Sequence, residues 1–215
     1  MTPLSDNNKI EFYKFLNGNI TVEDLETFIY SHPDLEQQLK SETYLNLIEL
    51  NFKDKYDIIK LQDIIKTRVI EEGQFEMWKL KKVLNDFITQ PEKIDLNLEK
   101  IYDLYCGIYL EDGKRKYEYK FLSNLGLNYL FWTNEGYLRT HYGDNWKVEY
   151  EKISDDFQFY HEQLKTFATE ILLAIDNKEI EILNDGTYTI SNYLKSKMET
   201  DEIYKLKHPN EKYGR

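Results

Sequence analysis

Four histidines and one cysteine are the residues of this 215-residue chain best suited to metal or nucleophilic chemistry. His32, His141, His161 and His208 show none of the HxH, HxxxH or HExxH spacings that would aim two imidazoles at one ion. His161-Glu162 opens like a zincin helix, but Lys165 stands where the second ligand belongs, so His161 is expected to be an ordinary helix-surface histidine. Cys106 has no second cysteine for a disulfide or zinc knuckle and no His or Asn context that marks a thiol nucleophile; it reads as a buried packing residue. Gly126 stands alone, Gly136 and Gly143 are too far apart to cradle a phosphate, and no G-x-S-x-G elbow occurs. The adjacent acids Asp155-Asp156 and Asp201-Glu202 are explained by capping and the helix dipole. The expectation is a protein that is not an enzyme and uses no metal or organic cofactor. The alternative is an enzyme for a small molecule or nucleotide, with Asp155 or Glu162 and His141 or His161 assembled only in the fold.

The elements that must position these side chains are read from apolar periodicity. Ile10, Phe12, Tyr13, Phe15 and Leu16 predict a helix over 6–17, closed by Asn17-Gly18-Asn19. Thr21 caps a second helix over 22–31, with Glu23 and Asp24 at its positive end and Val22, Leu25, Phe28 and Ile29 buried. Ser41 caps a further helix. A long amphipathic stripe of Ile58, Leu61, Ile65 and Val69, widened by Ile59 and Ile64, runs until Gly73 breaks it, and the next helix, from Phe75 to Ile88, stops at Pro91. Ile94 to Ile108 predict a helix ending near Asp112-Gly113. Residues 117–150 read as mixed, with short strands and Gly turns around Tyr129, Phe131, Tyr137, Tyr142 and Trp146. Ser154-Asp155-Asp156 is expected to cap a strong helix from Phe157 to Ile175, closed by Asn177. Residues 179–190 read as a hairpin turned by Asp185-Gly186. The fold class expected is therefore mainly α (α+β), a multi-helix body with a small antiparallel β element toward the C-terminus. One compact domain over 1–215 is expected or, more finely, a helical region 1–92 and a mixed α/β region 93–215.

Composition narrows the partners. With 41% hydrophobic residues, 18 Tyr, 11 Phe and 3 Trp, the chain has ample apolar surface to bury; 4 Pro and 9 Gly leave no long flexible linker. Met1 to Asn8 lack the basic start and apolar run of an export signal, and no apolar stretch approaches the ~18–20 residues of a membrane span, so a cytoplasmic protein is expected. A net charge of -11 argues against direct nucleic-acid binding, which needs clustered Lys and Arg, and favours a basic protein partner. The charge is uneven. Residues 1–50 hold nine acids against three lysines, whereas Tyr193 to Arg215 hold six basic residues against four acids.

Tyr and Trp combine a large rigid surface with a polar tip, which suits protein interfaces. On that ground Trp132, Tyr137, Tyr142 and Trp146, with Asp155 and Asp156 nearby, are the candidate partner-binding residues. A Tyr-rich core is the alternative account of the same density.

The N-terminal third carries a distinctive string: Phe12-Tyr13-Lys14-Phe15-Leu16-Asn17-Gly18-Asn19-Ile20-Thr21-Val22-Glu23-Asp24-Leu25-Glu26, then Phe28-Ile29-Tyr30, Leu35-Glu36 and Tyr44-Leu45-Asn46-Leu47-Ile48. Over about residues 10–65 this resembles small bacterial immunity-type proteins of polymorphic toxin systems. The matching positions are core aromatics, a turn and a cap, so the resemblance implies a shared scaffold and carries no binding residue with it. It implies stoichiometric inhibition of a cognate toxin, with an acidic surface steering toward a basic target. A self-assembling accessory protein is the third reading.

Overall fold

A computed structural model describes residues 3–201 and 204–205, with the side chains of 153–156 and 158–159 left out; the basic tail beyond residue 205 lies outside the described residues. The chain divides into two compact units, Met1–Lys79 and Leu80–Arg215. The class expected from periodicity is the one observed: mainly helical, with small antiparallel hairpins late in the chain.

The N-terminal unit contains α1 (Asp6–Leu16), α2 (Val22–Ser31), α3 (Leu35–Gln38), α4 (Ser41–Ile48), α5 (Lys55–Ile64) and the start of α6 (Glu72–Thr89). Its helix starts follow side-chain chemistry. Ser5 caps α1 by accepting from the Asn8 amide, and Asp54 caps α5 by accepting from Tyr56 and Asp57. At α2 the cap is reciprocal: the Thr21 hydroxyl accepts from the Asp24 amide at 3.1 Å while the Thr21 amide donates to the Asp24 carboxylate at 2.9 Å. One apolar cluster fills the unit, built from Phe12, Phe15, Leu25, Ile29, Leu35, Leu47, Phe52, Leu61 and Ile65. Two starts differ from the sequence reading. Lys40, not Ser41, is the N-cap of α4. The α5 stripe ends in a π turn (Ile65–Val69), where the Ile70 amide reaches back to the Ile65 carbonyl at 3.1 Å, so the break precedes Gly73, which lies inside α6.

The C-terminal unit continues α6 and adds α7 (Ile94–Cys106), β1 (Ile108–Tyr109), β2 (Arg115–Lys116), α8 (Ser123–Asn128), α9 (Glu135–Tyr142), α10 (Trp146–Asp176), β3 (Ile180–Ile182), β4 (Tyr188–Ile190) and α11 (Asn192–Thr200). Phe157, Tyr160, Leu164, Phe167, Ala168, Ile171 and Ile175 form the buried stripe of α10, and Asn177 closes it, as the spacing predicts. The helix nevertheless starts eleven residues before Phe157, with Asn145 as N-cap, so Ser154-Asp155-Asp156 lies mid-helix and not at a helix start.

Residues 117–150 hold no strand among the described residues, contrary to expectation. They form short helices joined by 3-10 turns and a π turn (Tyr129–Thr133), whose changing pitch erases any single period. The strands lie earlier: α7 stops at Gly107, which adopts φ 68°, and residues 108–116 turn back as a hairpin. The two hairpins share one loop design. Gly113 and Gly186 supply positive φ, and the Asp112 and Asp185 carboxylates each accept from the amide two residues on, at 3.0 and 2.9 Å.

α7 and α8 cross closely at Gly126, where an added Cβ would lie 2.9 Å from the Tyr105 Cβ and 3.3 Å from the Tyr102 Cα. Gly126→Ala must push these helices apart. A loss of ~1–3 kcal/mol in unfolding free energy is expected from overpacking of this kind, measured by denaturant unfolding; an unchanged midpoint would show that the crossing yields freely.

Candidate protein-binding surface

The structure separates the aromatic residues singled out in the sequence. Trp132 is only 1% exposed, packed at a tilt against Phe157 at 5.3 Å and Tyr160 at 5.7 Å, so it is a core residue and no partner can reach it. The reason is its place at the end of the π turn, where the side chain faces α10. Tyr137 and Tyr142 are half-buried and come together around His141: Tyr137 stacks on the imidazole at 5.7 Å, Tyr142 meets it edge-on at 4.7 Å, and Phe131 closes on Tyr137 at 5.5 Å. Trp146 is also half-buried; Arg139 lies over its ring at 4.9 Å and Lys147 at 5.8 Å. Aromatic faces already covered by the chain's own cations offer a partner less than bare ones would. The side chains of Asp155 and Asp156 lie outside the described residues.

Two further expectations change. Cys106 is half-buried instead of buried. His161 is not a surface histidine: it is 8% exposed, packed edge-on against Phe87 at 5.3 Å and beside Phe157 at 6.2 Å, and its Nε2 has no hydrogen-bond partner among the described residues. Burial lowers its pKa, Lys165 adds to the effect and Glu162 opposes it. Among the described residues no three His, Cys, Asp or Glu side chains gather closely enough to hold a metal ion, and no helix is long and apolar enough to cross a membrane.

The N-terminal unit presents a different surface, which periodicity did not select. Tyr30 is 57% exposed on α2, yet its hydroxyl donates to the Ile48 carbonyl at 3.1 Å and its ring meets Phe52 edge-on at 6.2 Å. Leu45, one turn before Ile48 on α4, is exposed as well. On α5, Tyr56 is 75% exposed and Ile59 stands one turn further along. The Asn51 amide donates to the Asp57 carboxylate at 3.0 Å, which holds the α4–α5 loop against the start of α5. Glu23, Asp24 and Glu49 are exposed on the same unit, Glu42 is exposed and paired with Arg68, and the exposed lysines Lys55 and Lys60 adjoin Tyr56 and Ile59 in the chain. The Asp24 carboxyl is held below the usual carboxylate range, first by the Thr21 amide and then by its hydroxyl. Asp57 is lowered too, by Lys60 and the Asn51 amide. These acids stay ionised well below neutral pH.

No family model matches the chain, and no curated protein or solved structure matches it. The surface must therefore be read from its own chemistry. Exposed aromatic and aliphatic groups among charged residues have the composition of a protein-binding face, with apolar anchors and a charged rim. A signal for it was present. Tyr30 falls off the Leu25–Ile29 stripe of α2 and Tyr56 off the Leu61–Ile65 stripe of α5, so each had to face away from the core; Ile59, expected to widen the α5 stripe, is instead 55% exposed.

His161 gives a pH prediction. Its folded pKa lies below the ordinary 6.5, so the native state binds fewer protons than the unfolded chain and stability falls as pH drops below 6.5. His161→Phe should flatten this acid limb in denaturant unfolding followed from neutral pH downward. An equally steep limb in the variant would assign the acid sensitivity elsewhere.

Proposed function

We propose that this protein is an immunity-type binding protein that neutralises a basic protein toxin by forming a stoichiometric complex, using the acidic face of its N-terminal unit. The observation that carries the reading is the exposure of Tyr30, Leu45, Tyr56 and Ile59 on the N-terminal unit, whose residues 1–50 hold nine acids against three lysines while residues 51–79 are charge-balanced. Such a face attracts a basic partner over several ångströms and then offers it desolvated anchors. The sequence resemblance over about residues 10–65 falls on the same unit and supports the same reading. Occlusion needs no reacting group, so the chain inhibits by covering its target. The proposed site is in the cytoplasm, where a toxin acting on the cell's own interior would be met.

Arrangement of the charges fixes the kinetics. Exposed carboxylates act mainly on the encounter, so association slows as salt shortens the Debye length from about 10 Å at 0.1 M. The apolar anchors govern dissociation. Tyr30 has a further role within the fold through its bond to Ile48, so Tyr56, which stands free at the first turn of α5, is the cleaner probe.

The test is affinity capture by the tagged chain from its native lysate at low and high salt, followed by co-expression of any captured protein. One basic protein bound 1:1, released by salt, and toxic to cells only without this chain is the expected result. Tyr56→Ala combined with Ile59→Ala should weaken that complex by ~2 kcal/mol or more, about thirtyfold in Kd, with unchanged circular dichroism. A captured protein that is harmless when expressed alone, or that binds the double variant equally well, would refute the proposal.

A further inference from the structure

Among the described residues one imidazole is buried, and no carboxylate bonds it. His161 is 8% exposed on α10, with Phe87 of α6 packed edge-on at 5.3 Å and Phe157, one turn earlier on its own helix, at 6.2 Å. Its Nε2 has no hydrogen-bond partner among the described residues. A neutral ring is tolerated in such a cage as a half-polar aromatic. An imidazolium would bring a charge and an unpaired N–H into it, and both are costly without a counter-ion or water.

The surrounding elements offer no such compensation. α6 buries Leu80, Leu84 and Phe87 completely, and its charged side chains are engaged elsewhere: Lys82 pairs with Asp86 at 2.6 Å, and Lys81 with Asp176 of α10 at 2.5 Å. On α10 itself the adjoining Glu162 is exposed and bound to Lys165 at 2.8 Å, and that lysine repels a charged ring. Trp132, which reaches Phe157 from the π turn, carries no charge.

We infer that His161 is an acid-operated latch: its protonation loosens the packing of α10 on Phe87 within the C-terminal unit, while the apolar cluster of the N-terminal unit stays closed. The confinement follows from what each core contains. The cluster from Phe12 to Ile65 is wholly apolar, so acid has no group to charge there. His32, at the end of α2, is only half-buried, and its Nδ1 lies 2.9 Å from the Phe28 carbonyl, which can accept from a protonated ring. His161 can gain such partners only by leaving its cage, and Phe87 and Phe157 then lose the neighbour they share. Because burial first, and Lys165 second, disfavour the proton in the closed form, the open form binds it more tightly. Falling pH therefore draws the unit toward opening until the closed form is itself protonated. Each unit of pKa difference multiplies the open population about tenfold. The unit stays mostly closed, and the latch changes how often it opens and not the average fold.

The experiment is hydrogen exchange of the full chain, corrected for intrinsic rates, between about pH 7.5 and about pH 5, the interval in which an ordinary histidine titrates. Protection of the Leu164, Phe167 and Ala168 amides is expected to fall ~tenfold with acid, while that of Leu25 and Ile29 holds. His161→Phe should abolish the fall; should that variant fold poorly, His161→Gln, which keeps polarity but cannot take up a proton, decides in its place. No loss of protection on α10, an equal loss in both units, or a loss that persists without the histidine overturns the proposal.

Discussion

Gly126 sits where α8 meets α7, and the absence of a side chain there sets how closely the two helices approach. Everything that follows α8 inherits that distance. One turn on, Tyr129 lies against the Tyr102 ring at 5.5 Å and donates its hydroxyl to Glu99 at 3.2 Å, and the π turn then delivers Trp132 to Phe157 and Tyr160 on α10. A wider crossing would withdraw Trp132 from the core. Gly107 imposes a similar limit at the other end of α7: a Cβ there would lie 2.7 Å from the Lys116 carbonyl, so only glycine lets the hairpin fold back on the helix that precedes it. Two positions without side chains thus fix both the aromatic core of the unit and the direction in which the β1–β2 hairpin leaves α7.

The N-terminal unit is built on a different balance. Its apolar cluster is continuous from Phe12 to Ile65, and its helix ends are satisfied by short polar side chains close in sequence, chiefly Ser5, Thr21 and Asp54. Caps of this kind are worth ~1 kcal/mol each and cost no surface. The outward sides of α2, α4 and α5 are therefore released from structural duty and can carry charge and bare aromatic groups. Tyr30 shows the compromise: its hydroxyl and ring edge steady the end of α4 and the Phe52 loop while more than half of the side chain stays in water.

Local signals made much of this fold legible. The reciprocal Thr21–Asp24 cap, the Asn17-Gly18-Asn19 stop and the seven-residue stripe of α10 depend on neighbours within one or two turns, and these elements lie where periodicity predicts them. The Asp-Gly pair was readable at 185–186, where Ile180 and Ile182 alternate with polar residues, but not at 112–113, where Ile108 prolongs the helical spacing of Ile101 and Tyr105. Identical turn chemistry was thus masked by the period of its flank. Trp132 and His161 failed for a long-range reason. Each is buried by α10 or α6, elements distant in sequence, and nothing next to either residue records that contact.

That distinction bears on how a binding face can be sought in a Tyr-rich chain. Aromatic density marks cores and interfaces alike, because one ring serves either role and a tyrosine hydroxyl is tolerated at the boundary of both. What separated Tyr30 and Tyr56 from Trp132 was their position relative to a neighbouring buried stripe. A large apolar residue that falls outside the stripe of a strongly amphipathic helix has no core to enter, so its exposure follows from geometry and its retention calls for a cause outside the monomer. In a helix with an irregular pitch, such as the π turn that carries Trp132, no stripe exists to exclude a residue from. The most regular helices are therefore the ones whose exceptions are informative: Tyr30, Leu45, Tyr56 and Ile59 in the N-terminal unit, and Leu96, Leu173 and Tyr193 in the C-terminal one.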